Sequence, residues 1–443
     1  MPRPFAHVCS AAVACGGLAL GCEPSLVEPG EMIVVLGDAD DPLLSAARTR
    51  VLKHAETGEP TLVLDRAGPV RRFSLGRGGA GAFELRADDA TDALGAWGRS
   101  IPIDPAGVAG LSLPLFVSKT GAFSHAPDGA LPAVAGAVAG VVANRYLTVL
   151  VPGGDRVRAH AYDLGFWRSA GAPIAISCPS EPCAFRSLAI VGRVAIAIGE
   201  DFAIWFDLLD GTSGDVTRPD ALPSWSSIAG GRTIDGDGGA RVIVGPTRDA
   251  PSEWALLISA DLALSALRLT APRARAAATW PRDRGLLVAG GSDTAAGLEL
   301  VPVGATSATP LGYPPDPVRG AALVEIGDAV WRVGGQLAGG AAPTVELALA
   351  CGTSCSPVPI SEPVALDAAH AFALHPAALV VGLDASGVTR ARRVSTTGVE
   401  ELPLAEDRHD ALALLLPTGH VGVFGGTRAS GSPDPLVLQL FGR

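Results

Sequence analysis

The sequence predicts an all-β protein: a seven-bladed β-propeller preceded by a small β-sandwich-like domain. Three observations carry this reading. Apolar strands that end in glycine recur at near-constant spacing. Their first glycines are Gly153, Gly199, Gly245, Gly290, Gly334, Gly382 and Gly425, separated by 46, 46, 45, 44, 48 and 43 residues. Seven copies of a period near 45 residues mark propeller blades. Glycine and proline are abundant, at 55 and 36 of 443 residues, and aromatics make up only 5%. That composition suits short strands joined by turns. Ahead of the repeats, residues 31–119 have a different character, with short apolar runs at a spacing that suits a sandwich.

The N-terminus reads as an address. Arg3 and His7 precede an apolar run from Val8 to Leu20. A bilayer span takes about 20 apolar residues, so this run is too short to cross. It has the size of an export-signal core. The run closes in Leu18-Ala19-Leu20-Gly21-Cys22, which resembles a bacterial lipobox. Gly21 and Cys22 match that pattern. Ala19 and Leu20 depart from it, standing where leucine and a smaller residue are usual. The resemblance implies a lipoprotein signal over residues 1–21, a lipidated Cys22, and a tether over 22–30 to a membrane. The alternative is an ordinary secretory signal cleaved nearby. Either places the protein in the cell envelope, at the periplasm or the cell surface.

Cysteine usage agrees with that compartment. Cys9, Cys15 and Cys22 lie in or at the end of the signal, and the mature body keeps two close pairs, Cys178 with Cys183 and Cys351 with Cys355. Paired cysteines in an exported chain read as disulfides. A metal site is the alternative, but neither pair has a nearby histidine or zinc-type CxxC spacing. No metal and no cofactor are expected.

Residues 31–119 hold candidate strands at Met32–Leu36, Arg48–His54, Thr61–Leu64, Val70–Leu75, Ala82–Arg86, Ile101–Ile103 and Leu111–Val117. Ser45-Ala46-Ala47 is compatible with a short helix. Residues 120–443 form the propeller. Each repeat there has an apolar strand, a turn, a second strand ending at the glycine, then a third strand and a weaker fourth. The last repeat supplies only three strands. Gly121 to Ala126, just before the first repeat, stands in register to be the fourth and close the ring. Glycine suits the anchors, because a strand leaving a crowded centre needs positive φ or close backbone approach.

The repeats resemble kelch repeats, whose signature is an apolar strand, a double glycine, a strand closing in an aromatic, and a later tryptophan. The best match is Pro152-Gly153-Gly154 followed by His160-Ala161-Tyr162-Asp163 and Trp167; the second repeat keeps Trp205-Phe206-Asp207. Gly199, Gly245 and Gly382 lack the second glycine, being followed by Glu200, Pro246 and Leu383. The resemblance implies a kelch-like propeller of the kind found centrally in galactose oxidase, a copper enzyme with tyrosine and histidine ligands. Tyr146, Tyr162 and Tyr313 are the only tyrosines here, and they form no matching set.

Motifs with possible chemistry mostly reduce to turns. Gly76-Arg77-Gly78-Gly79-Ala80-Gly81 matches GxGxxG, but a nucleotide loop must open a helix, and a strand follows; it reads as a hairpin loop. Asp235 to Gly239 resembles half a calcium loop without the later bidentate acid, so it also reads as a hairpin turn. Asp38 to Asp41 reads as a turn after a strand. His409 and Asp410 are neighbours, but neighbouring strand residues face opposite ways. Trp97, Trp167, Trp225, Trp254 and Trp280 are candidates for a carbohydrate platform or, alternatively, for packing between blades. A net charge of −11 excludes nucleic acid, which needs a concentrated basic surface.

These readings favour a non-enzymatic, lipid-anchored scaffold that binds an envelope protein or glycan through loops such as Gln336 to Pro343 and Thr427 to Pro435. Two alternatives remain open. One is an envelope carbohydrate-active enzyme using acids near the propeller pore. The other is a passive structural component of an envelope assembly.

Overall fold

The computed structural model describes residues 28–37, 41–76, 78–131, 137–153, 156–177, 185–246, 250–350, 354–428 and 436–442. Residues 31–119 make one seven-stranded sheet. Its hydrogen-bonded path runs Thr61–Ala67, Arg48–His54, Ala82–Asp88, Leu94–Arg99, Ser112–Lys119, Glu31–Leu36, Arg72–Ser74. Its strands fall into two halves that share one strand. The strand Ser112–Lys119 is long enough to serve both halves. Ser112 to Val117 pair in parallel with Glu31 to Leu36, while Ser118 and Lys119 pair antiparallel with Trp97 and Ala96. The sheet curls so that its halves share a core: Phe73, at one end of the path, packs 6.3 Å from Phe83 in the opposite half.

Three expectations in this segment change. Ile101–Ile103 forms only a bridge, between Ile103 and Gly81. The place between Ala82–Asp88 and Ser112–Lys119 is taken by Leu94–Arg99, whose Gly95 and Gly98 hide a strand behind loop-like composition. Gly98 is required there, since a Cβ would lie 2.1 Å from the Phe116 carbonyl oxygen. The Gly76 to Gly81 run is not a hairpin loop, because the strands it joins, Arg72–Ser74 and Ala82–Asp88, are not neighbours in the sheet. Ser45-Ala46-Ala47 lies in a turn and bend, not a helix.

Seven antiparallel blades follow, two of them with a short fifth strand. Blades 1 to 6 span 138–177, 187–215, 231–273, 277–311, 319–361 and 367–402. Blade 7 takes three strands from the chain's end, Leu412–Leu415, Val421–Phe424 and Leu436–Phe441, and its fourth from Phe123–Leu131. Phe123 stands opposite Phe441, Ser124 opposite Leu440 and Leu131 opposite Leu436. The chain is thus a closed seven-bladed propeller. Blade 1 also grips the closing strand, through the Tyr162 hydroxyl, which donates to the Pro127 carbonyl.

Second strands are apolar because both their faces are covered. Gly285–Ala289 is buried at every position, as expected for a strand sandwiched between neighbouring blades. Between blades 3 and 4 the packing encloses a charge pair, Arg273 and Glu299, at 2% and 0% exposure. Arg273 Nε donates to Glu299. Its Nη1 donates to the Gly290 carbonyl at 2.6 Å, and its Nη2 to the Ala296 carbonyl. The other Glu299 oxygen accepts from the Thr270 amide at 2.8 Å.

The glycine anchors ring one end of the propeller. Gly290 and Gly291 sit at φ +73° and +75°, where a β-carbon is strained. Gly382 serves close approach instead, a Cβ there lying 2.7 Å from the Asp367 carbonyl. Gly153 meets neither need: its φ is not positive, and the nearest atom to a Cβ is 3.6 Å away.

Candidate functional site

A cavity of about 560 Å³ lies on the propeller axis, lined by the first strands of all seven blades. Most of its wall is apolar, with Val141, Ile190, Ile234, Leu323, Phe372 and Leu414 among the lining side chains. Charged groups are confined to its two ends. At the end opposite the anchors, Arg241 pairs with Asp235 at 3.2 Å, and the Trp280 indole donates to Asp237 at 2.9 Å.

The anchor end holds four polar groups. Arg232 and His370 line the cavity from the first strands of blades 3 and 6, and Arg275 and Asp367 stand beside them. Arg232 lies opposite Val244, just before the Gly245 anchor, and His370 lies opposite Val381, just before Gly382. Arg232 reaches across the lumen from blade 3. Its Nη1 donates to the Ala321 carbonyl of blade 5 at 3.1 Å, and its Nη2 to the Ala369 carbonyl of blade 6 at 2.6 Å. Arg275, at the entry to blade 4, pairs with Asp367 of blade 6. That carboxylate also accepts from the Ala368 amide at 2.8 Å.

Burial, reinforced by the Arg275 charge, pushes the Arg232 guanidinium down to about 10, so it stays cationic at neutral pH. Burial and then the Arg232 charge push the His370 ring down to about 3, so it is neutral there. Acid should therefore weaken the fold through His370. As pH falls from about 6.5 towards 3, the unfolded chain takes up a proton that the folded chain refuses, and the folded state loses stability. The His370→Gln variant should lose less stability over that range than wild type. Urea unfolding at pH 7 and pH 4.5 measures this, and equal pH slopes would contradict the assignment.

The N-terminal sheet meets the propeller at the other end. Trp97 packs 4.7 Å from the buried His420 ring, which is 3.1 Å from the Thr418 hydroxyl, in the turn between the first two strands of blade 7. Phe116 and Trp167 pack with ring centroids 5.0 Å apart. Ile101 reaches Gly165 in a turn of blade 1.

The sequence-predicted positions distribute as follows. Cys22, Cys178, Cys183 and Cys351 lie outside the described residues, and Cys355 is buried. Trp97, Trp167 and Trp225 are buried at 6%, 2% and 7% exposure, so they are packing residues rather than a carbohydrate platform. Trp254 carries Arg268 over its ring at 5.6 Å. The segment Gln336 to Pro343 is not a plain loop: Gly340–Ala341 folds back on Gln336 and Leu337 as a hairpin extension. Thr427–Arg428 pairs with Arg408–His409, and the remainder of that loop lies outside the described residues. Among the described residues, no three His, Cys, Asp or Glu side chains gather as a metal site. No helix among them is long and apolar enough to cross a membrane. Sequence reasoning passed over Arg232 and His370. The available signal was a polar residue interrupting an apolar first strand, as in Ala368-Ala369-His370-Ala371-Phe372.

No protein-family model and no curated protein sequence matches the chain. Among solved structures it is similar in fold to the Pan2 WD40 domain of Neurospora crassa, at 12% identity and TM-score 0.44, over 73% of this chain and 96% of that one. It is similar to TolB from Acinetobacter baumannii at 11% identity and TM-score 0.36, over 74% and 78% of the two chains. It is also similar to the dihydro-heme d1 dehydrogenase NirN, solved in complex with DHE, at 11% identity and TM-score 0.42, over 91% and 75%. At these levels the likenesses carry no functional argument, and the seven-bladed assignment stands on the strand pairing itself.

Proposed function

We propose that this protein is an exported, lipid-anchored scaffold of the cell envelope that binds a protein or glycan partner at the anchor end of its propeller, without catalysing a reaction. The observation that carries the proposal is an asymmetry. The contacts described between the N-terminal sheet and the propeller lie at the turns of blades 7 and 1, opposite the glycine anchors, and along the outer strands of blade 7, where Gly37 meets the His125 backbone. The anchor-end loops are left to meet a partner, and loops on a rigid scaffold are where binding residues concentrate. The apolar run ending at Cys22 supports export and anchoring, and the two close cysteine pairs fit disulfides in an oxidising compartment. Burial of Trp97, Trp167 and Trp225 favours a protein partner over a glycan.

Crosslinking in intact cells tests this. Wild type is compared with Cys22→Ala and with a variant whose residues 336–343 are replaced by a two-residue turn. The expected result is a defined partner for wild type, loss of that partner with the shortened hairpin, and release of Cys22→Ala from the membrane fraction. Unchanged crosslinks from the hairpin variant would remove the loop assignment. Full membrane retention of Cys22→Ala would remove the anchor.

A further inference from the structure

We infer that the axial cavity is a binding site for a small monocarboxylate, seated between the Arg232 guanidinium and the His370 ring. Charge is the first support. Arg232 makes no ion pair with any described residue, although the chain as a whole carries −11. The neighbouring carboxylate, Asp367, is already engaged by Arg275 and by the Ala368 amide. At the opposite end Arg241 has Asp235. One positive charge is therefore left uncompensated inside the lumen, and one negative charge would balance it.

Hydrogen-bonding capacity is the second support. A guanidinium has five N–H donors. Arg232 spends two of them, on the Ala321 and Ala369 carbonyls. These two bonds hold the group in place across the lumen and leave donors for a ligand. His370 makes no hydrogen bond with any described residue, yet it lines the same cavity. A neutral imidazole presents one N–H donor, so it can meet a second carboxylate oxygen without a further charge.

Surroundings and size narrow the class. Ala278, Ala322 and Ala371 line the cavity with small side chains, leaving space beside the guanidinium. The wall beyond is apolar, which suits an acid with a short hydrocarbon body. Charge-assisted hydrogen bonds gain strength in such a low-dielectric setting. At about 560 Å³ the cavity falls within the range of small-molecule sites, roughly 300–1,000 Å³. A phosphate dianion would bring a second charge that no free cation here would meet. This site lies inside the lumen, so it is independent of whether the anchor-end loops hold a macromolecule.

The test is nuclear magnetic resonance of the full chain labelled with ¹⁵N-histidine, with the His370 signals assigned through His370→Gln. Acetate, butyrate and benzoate are titrated separately, with phosphate and chloride as comparisons. The expected result is a saturable shift of the His370 ring nitrogens with at least one monocarboxylate, tighter than for phosphate or chloride. Arg232→Gln should weaken that binding about tenfold or more, because a hydrogen bond to a charged group is lost. No saturable shift with any of the three acids overturns the inference. So does equal binding of phosphate or chloride, and so does unchanged affinity in a folded Arg232→Gln. The comparison among anions needs only wild type, so a variant that fails to fold does not shield the inference. Shortening the 336–343 hairpin should leave the titration unchanged, which separates this site from the partner surface.

Discussion

Replacing Glu299 with alanine should destabilise the propeller by about 3–5 kcal/mol, the cost of leaving one member of a buried ion pair without its partner. Arg273 is 2% exposed and Glu299 is fully buried, so water cannot replace the missing carboxylate. The guanidinium would keep its bonds to the Gly290 and Ala296 carbonyls, but its charge would stand uncompensated between two blades. The Thr270 amide, which donates to Glu299 at 2.8 Å, would also lose its acceptor. Arg273→Ala should cost a similar amount. An Arg273→Met, Glu299→Leu double variant should recover most of the loss, since apolar side chains of similar volume often replace a buried pair without penalty. Urea unfolding of the four proteins measures both the loss and its recovery. A Glu299→Ala protein within about 1 kcal/mol of wild type, the range of an exposed pair, would mean that the pair is solvated.

Opening the ring should have the second large effect. Phe123 packs 5.1 Å from Phe441, and both rings are buried. Phe123→Ala should therefore cost about 3–5 kcal/mol, as truncations of buried phenylalanine do. Deleting residues 123–128 should do more than lower stability. It strips Leu436–Phe441 of its outer partner and leaves an unpaired strand edge, which invites pairing between molecules. Size-exclusion chromatography should show self-association, and thermal unfolding should shift downwards. A monomeric deletion variant with the wild-type melting temperature would show that this strand does not hold the ring.

The propeller was legible because its rule is a backbone rule repeated. Gly290-Gly291 and Gly425-Gly426 occupy positive φ, a demand that sequence records directly as glycine. Closure by the segment at Phe123 was legible for a related reason: the last repeat was visibly one strand short. The strand Leu94–Arg99 was obscured by Gly95 and Gly98, and the absent side chain of Gly98 answers to the Phe116 backbone rather than to a turn. The curled sheet was hidden because one long strand, Ser112–Lys119, serves two partners along its length. The axial site was least visible. Arg232 finds its acceptors 89 and 137 residues away, on blades that no local pattern connects to it. Individual tryptophans could not be placed either, since packing and display use the same residue type.

Because blade 7 joins Phe123–Leu131 to Leu436–Phe441, the molecule has a built-in order of assembly. The strand Phe123–Leu131 must wait for Leu436–Phe441, so blade 7 cannot be completed until the six blades between them in sequence have been made. Pairings so distant in sequence are slow to form, because the loop must be closed before the contact rewards it. Throughout that interval the early strand is bare, and so is the open side of each newly finished blade. Leu436–Phe441 thus acts as a timer: it decides when a growing, association-prone stack of sheets becomes a sealed particle.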